Sequence, residues 1–248
     1  MKEKQNSVNE VEQDIHKQVQ LALEGLAHPE KELAHQKFYK AFPGGYGGED
    51  RFLCVSTPEQ HKIAKVWYQL ISLDELSELL KSNIHEYRLC ALMMLVLKYQ
   101  KAKDPIYKKS VCDFYLSHLD FVNNWDLVDS SAHYILGDYL LDKDDRILIS
   151  LAKTNHLWRN RVAMISCFAF IRKNRFETAL EIAGILLNHE HDLIHKAVGW
   201  MLREIGKRDL KTETYFLEQF TLTMPRTMLR YAIEKFPEDL RLHYLRLK

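Results

Sequence analysis

One opening recurs along this chain. Glu86-Tyr-Arg88-Leu-Cys-Ala, Trp158-Arg-Asn-Arg161-Val-Ala, Ile194-His-Lys196-Ala-Val-Gly and Met228-Leu-Arg230-Tyr-Ala-Ile each start an apolar helical run with a basic residue. The basic positions 88, 161, 196 and 230 are separated by 73, 35 and 34 residues, so one period near 35 repeats, with the vacant register filled by Asn124 to Asp129. That is the length of a helical hairpin, a unit too small to bury its own apolar face and therefore obliged to stack on copies of itself. The expected architecture is all-α: a HEAT-like helical-repeat solenoid, or α-α superhelix, forming one domain over residues 1–248 and curved with a basic concave face.

The rest of the sequence agrees with that constraint. Apolar residues recur at helical spacing in segments such as Val11–Leu26, Pro29–Phe42, Glu86–Tyr99, Trp125–Leu141, Trp158–Arg172 and Asp192–Ile205. Gly 9 and Pro 6 leave little turn punctuation for a β protein in 248 residues. The exception is Phe42–Val55, which holds four of the nine glycines and is the one long irregular loop expected; such loops in compact helical domains are more often functional than idle. Residues 1–20 are expected as a frayed amphipathic helix at the N-terminus.

Charge is distributed unevenly although the net is only +1. Met1–Asp50 carries 6 basic and 9 acidic residues, Arg146–Phe176 carries 7 basic and none acidic, and Lys196–Lys248 carries 11 against 7. A basic second half can present one face to an anionic polymer. The four cysteines, at 54, 90, 112 and 167, have no C-x-x-C spacing and suggest reduced, buried thiols. No stretch is apolar enough for a membrane span, and the N-terminus lacks the apolar core of a signal peptide, which leads us to expect a cytoplasmic protein. His191 and His195 have metal-ligand spacing but no matching carboxylate or thiolate cluster, so no metal is expected.

Two constellations point to chemistry. Trp125 and Asp129 are four apart and share one helical face beside an Asn cap; an indole next to a carboxylate can hold a cationic group, or can equally be a core tryptophan beside a solvated acid. The stacked basic residues could form a ladder for backbone phosphates, or ordinary solvated charges. With regular stacking, Asp129, Arg161 and Trp200 could converge on the concave face.

In order, YGGEDRFLCVSTPEQ, HEYRLCAL, NNWDLVDSSAHYILGDYL, LWRNRVAMI, IHKAVGWMLREIGK and MPRTMLRYAIEKFPE resemble the bacterial DNA alkylation repair family, the AlkD-type alkylpurine DNA glycosylases, from about Tyr46 to Phe236. The resemblance implies a curved stack of HEAT-like helix pairs holding alkylated double-stranded DNA on its concave side, as a monomer. It implies hydrolysis of the N-glycosidic bond of N3- and N7-alkylated purines in base excision repair, without metal or cofactor, the lesion remaining stacked in the duplex. By this resemblance Asp129 is similar to the catalytic aspartate, Trp125 and Trp200 to the tryptophans at the lesion's sugar, and Arg161 to the arginine beside the acid that holds the backbone. Tyr46 is similar to the family's loop tyrosine. Arg88, Arg159, Lys196, Arg226 and Arg230 join it as expected DNA contacts. The sequence departs from the family pattern at Asn124, where some relatives carry a second tryptophan, at Cys54, where glycine is usual, and at His61, where arginine is usual. A non-catalytic HEAT-repeat binder of unusual DNA structures is the alternative reading.

Overall fold

Ser56 and Ser72 each precede a helix whose third residue is glutamate, and both pairs close reciprocal capping boxes. The computed structural model, which describes residues 14–247, is helical along most of its length. The first half contains α1 (Ile15–Glu24), α2 (Glu32–Phe38), α3 (Thr57–Trp67), α4 (Leu73–Leu80), α5 (His85–Lys101), α6 (Pro105–Ser117) and α7 (Trp125–Asp129). The second contains α8 (Arg146–Ala152), α9 (Leu157–Ser166), α10 (Phe168–Ile171), α11 (Glu177–Ile185), α12 (Asp192–Gly206), α13 (Leu210–Phe220), α14 (Arg226–Ala232) and α15 (Glu238–Arg246). Among the described residues the only β pairing is an isolated bridge between Arg51 and Ile84.

The helices form two layers. An inner row of α5, α7, α9, α12 and α14 is built by successive neighbour contacts, while α3 and α4 cover α5, α8 covers α9, and α13 covers α12. The inner row is the buried one: from His85 to Val96 every residue of α5 is buried, so that helix needs a partner on all sides. One contiguous apolar cluster runs from Val19 to Tyr244. Close approach of α14 to α12 requires Gly199, because a Cβ there would lie 2.4 Å from the Met228 carbonyl oxygen.

Helix positions follow the sequence reading to within a few residues, with three differences. The expected helix Trp158–Arg172 is divided at Cys167 into α9 and α10. The Pro29–Phe42 segment opens as a 3₁₀ turn, Pro29–Lys31, and its helix stops at Phe38. The expected helix Trp125–Leu141 is broken after Asp129 and continues as a π-helical segment, His133–Gly137. Ser130 and Ser131 donate back to the Leu127 carbonyl, at 3.3 and 2.6 Å, which pulls the backbone out of the i to i−4 pattern. The expected frayed helix over residues 1–20 lies outside the described residues up to residue 13, and from Ile15 onward it belongs to α1. All four cysteines are buried and unbridged. No helix of the described residues is long and apolar enough to cross a membrane.

Candidate functional site

The recurring register gains a structural meaning at the N-terminal ends of the inner helices. Arg161, Lys196 and Arg230 are each the fifth residue of their helix, and Asp129 holds the same place in α7. An acid thus occupies one rung of an otherwise basic series. Its position is unfavourable by itself, at the C-terminal end of a five-residue helix whose carbonyls repel a carboxylate.

Arg161 compensates. Its Nε donates to Asp129 Oδ1 at 3.0 Å and one terminal nitrogen donates to Oδ2 at 2.8 Å, a bidentate pair across two neighbouring helices. The other terminal nitrogen donates to the Leu193 carbonyl at 2.6 Å, tying the arginine to α12 as well. The Arg161 side chain is 6% exposed and the Asp129 side chain 21%. Burial pushes the Asp129 carboxyl above its ordinary pKa, against the opposing pull of the Arg161 guanidinium.

Asp129 and Arg161 form the floor of a cleft of about 510 Å³. Trp125, one turn before Asp129, and Trp200 line it, as do Tyr46 and Lys196. Trp125 is braced by Tyr39, stacked at 5.6 Å, and by Phe38, edge-on at 5.7 Å. Trp200 rests against Phe168 at 5.8 Å and donates its indole N–H to Glu204 at 3.2 Å. Tyr46 packs edge-on against Trp158 and His191. Its loop folds tightly because Gly47 has no side chain: a Cβ there would lie 2.4 Å from the Tyr39 carbonyl oxygen. Lys196 is paired with Asp192 at 2.7 Å.

Behind the cleft a buried charge network fixes α7 and the glycine-rich loop to each other. His85 bridges Asp126 Oδ2 at 2.8 Å and Asp50 Oδ2 at 3.2 Å. Burial works to lower the His85 pKa, but the two carboxylates overcome it and raise it to about 9. Arg88 also donates to Asp50 and is 4% exposed. The expectation of Arg88 as a DNA contact is therefore corrected: it is a core ion pair, because loop residue Asp50 covers it. Asn124, the departure beside Trp125, caps α7 by accepting the Trp125 N–H at 2.8 Å. Cys54, the departure from glycine, has φ 62° and its N–H donates to Glu86 at 2.7 Å, a left-handed backbone that glycine adopts without strain. His61 is exposed on α3.

Three further expected DNA contacts lie away from the cleft walls. Arg159 is half-exposed and pairs with Asp120 at 2.9 Å. Arg226 is exposed and donates to the Leu245 and Leu247 carbonyls at 2.7 and 3.2 Å, closing the end of α15. Arg230 is exposed on α14. Arg161 itself directs its nitrogens to Asp129 and Leu193, so its geometry is that of a carboxylate holder more than of a phosphate clamp. His191 caps α12 through the Leu193 N–H, and His195 bonds the His189 carbonyl.

The cleft also contains residues that the sequence reading missed: Phe38, Lys40, Leu193, Arg203 and Tyr231. Arg203 was reachable, being one turn beyond Trp200 on the same helical face as Lys196. Phe38 was not, since only the fold shows that the end of α2 reaches Trp125.

Comparison with known proteins gives a concordant result. A family model described as DNA alkylation repair enzyme matches residues 19–236. Among solved structures the fold is similar to that of a predicted DNA alkylation repair enzyme from Enterococcus faecalis, with TM-score 0.65 and 15% identity over 86% of this chain and 97% of that one. No curated protein matches.

Proposed function

Because the chain belongs to the DNA alkylation repair enzyme family, we propose that it is an alkylpurine DNA glycosylase with Asp129 as its catalytic carboxylate. The observation that carries this reading is the Asp129–Arg161 pair on the floor of a cleft walled by Trp125 and Trp200.

Alkylation at N3 or N7 makes a purine cationic, so the base leaves without a proton from the protein. The demand falls on the sugar, where positive charge develops as the C1′–N bond breaks. A carboxylate held by Arg161 keeps one charge at a fixed place for that species, and the indole faces of Trp125 and Trp200 add their own attraction for it. Asp129 also orients the water that adds to C1′, whose proton leaves to solvent while the base departs neutral. Arg161 acts as a positioning residue: it fixes both carboxylate oxygens and opposes the protonation that burial favours. Lys40, exposed beside the cleft, supplies positive charge for the phosphates of the substrate strand, while Lys196 and Arg203 are held by Asp192 and Glu234.

The test is single-turnover release of 7-methylguanine and 3-methyladenine from methylated duplex DNA by the native protein and by Asp129→Asn. The expected result is release by the native protein and a loss of about 10²- to 10³-fold in the variant, with DNA binding retained. Tight, salt-sensitive binding without any release by the native protein would refute the glycosylase reading in favour of a DNA-structure binder.

A further inference from the structure

The basic run Arg146–Phe176 is only partly accounted for by the cleft, and its end leads to a second surface. Arg172 and Lys173, at the C-terminal end of α10, line a cavity of about 480 Å³ with Lys108, His133 and Tyr134. This cavity shares Lys108, Asp138 and Leu141 with a neighbouring one of about 620 Å³ that Lys103, Lys109 and Lys143 also line. The two make one groove.

Its charges are held in an unusual way. Among the described residues, neither Lys108, Lys143, Arg172 nor Lys173 has a carboxylate partner. Three of them lie over aromatic rings instead: Lys108 over Tyr99 at 4.7 Å, Lys143 over Tyr139 at 4.0 Å, and Arg172 over Phe168 at 4.6 Å. Arg172 further donates to His133 Nδ1 at 2.7 Å. Burial, with Arg172 adding to it, lowers the His133 pKa to about 4, so the imidazole accepts that bond neutral and the guanidinium keeps its full charge. Asp138, the acid shared by both cavities, is bonded to the Tyr99 hydroxyl at 3.0 Å. Rings hold cations in place without neutralising them, which leaves a groove organised for an external anion.

One aromatic residue connects the groove to the cleft. Phe168 touches Trp200, a cleft wall, on one side and carries Arg172 on the other. Arg172 is eleven residues beyond Arg161 along α9 and α10, about 16 Å at helical rise. At about 3.4 Å per nucleotide of one strand, that is about five nucleotides from the lesion.

We propose that this groove, built around Lys108, Arg172 and Lys173, is a second nucleic-acid contact that holds the sugar-phosphate backbone of the duplex flanking the lesion. The proposal rests on the glycosylase reading above. Its occupant is a polyanion of regular spacing, and the cleft already fixes the lesion end of the same duplex.

The experiment compares binding to duplexes of 8 and 24 base pairs, each centred on one hydrolysis-resistant 2′-fluoro-7-methylguanine nucleotide, between 50 and 200 mM salt. The proteins are the native chain, Lys108→Gln/Lys173→Gln, and the charge-matched control Lys65→Gln/Lys211→Gln, which alters exposed lysines elsewhere. Losing two phosphate contacts should lower the log–log salt slope by about 1.8 on the longer duplex. Across that salt range the native protein then loses about twelvefold more affinity than the groove variant. The control should follow the native protein, and on the short duplex, whose ends stop about 13 Å from the lesion, native and groove variant should coincide. Equal slopes for native and groove variant on the longer duplex, or an equal effect of the control, would overturn the proposal. Release of 7-methylguanine from methylated duplex by the native protein, measured alongside, separates the two failures: release with equal slopes rejects the groove alone, whereas neither release nor lesion binding rejects the glycosylase reading with it.

Discussion

Replacing Arg161 with leucine should be among the most damaging single changes outside the apolar core. Both Asp129 oxygens and the Leu193 carbonyl take their side-chain donors from this guanidinium. Removing one partner of a buried pair typically costs about 3–5 kcal/mol. Asp129 keeps about a fifth of its side-chain surface in solvent, so we expect the lower end, about 3 kcal/mol. Equilibrium urea unfolding at pH 7 of Arg161→Leu, Asp129→Leu and the double variant would isolate the pair, with a coupling energy of about 2 kcal/mol or more expected. The catalytic readout has a definite sign. Burial raises the Asp129 pKa while Arg161 opposes it, and the proposed reaction needs the ionised form, so the rate should fall as pH drops through that raised value. Without the guanidinium the opposing pull is gone and the acid limb of the single-turnover profile moves to higher pH. Coupling below about 0.5 kcal/mol, or an acid limb that does not move, would refute the argument.

Two other outcomes can be checked. Gly47→Ala places a Cβ against the Tyr39 carbonyl oxygen, so the loop must shift and carry Tyr46 with it; single-turnover excision should fall at least about tenfold with a melting temperature lowered by only a few degrees. Glu213 is buried, has no hydrogen-bond partner for either oxygen, and burial raises its pKa to about 9, against the pull of Arg203. A carboxyl raised in the folded state contributes stability that is present below its unfolded pKa and lost as pH rises through the folded value. Denaturant melts of Glu213→Gln from pH 5 to 9 should therefore show a flatter decline than the native protein, with the variant more stable at pH 8 by about 1 kcal/mol or more.

The stack and the centre of the site were legible because both depend on period. Arg161, Lys196 and Arg230 recur at one helical position, and the register that skips a basic residue is the one occupied by Trp125 and Asp129. Arg88 shows where period stops informing: it shares the register but is covered by Asp50, a loop residue whose approach no spacing encodes. Arg226 likewise turned out to close α15, since the sequence does not reveal that the last helix folds back toward it. The interruption after Asp129 had a visible signal in the Ser130-Ser131 pair, but its consequence, a π-helical segment, depends on the close packing of Gly137 against Ser166, where a Cβ would lie 2.2 Å from the carbonyl oxygen. Cys54 had the opposite fate: its departure from the family's glycine became intelligible only once its positive φ was known.

Trp125 and Trp200 stand on helices that do not adjoin; α9 lies between them. The distance between their two helices therefore depends on two interhelical spacings, each about 8–10 Å and each set by the side chains at its interface. On α9 and α12, Val162, Ala163 and Ile194 are buried and do not line the cleft. Adding or deleting a methyl group between α9 and α12 would widen or narrow the jaw while leaving every wall residue in place. On the proposed function, tolerance for larger or smaller adducts would then drift through silent-looking core exchanges, and a chain with an unaltered set of tryptophans and its aspartate would still differ in what it admits.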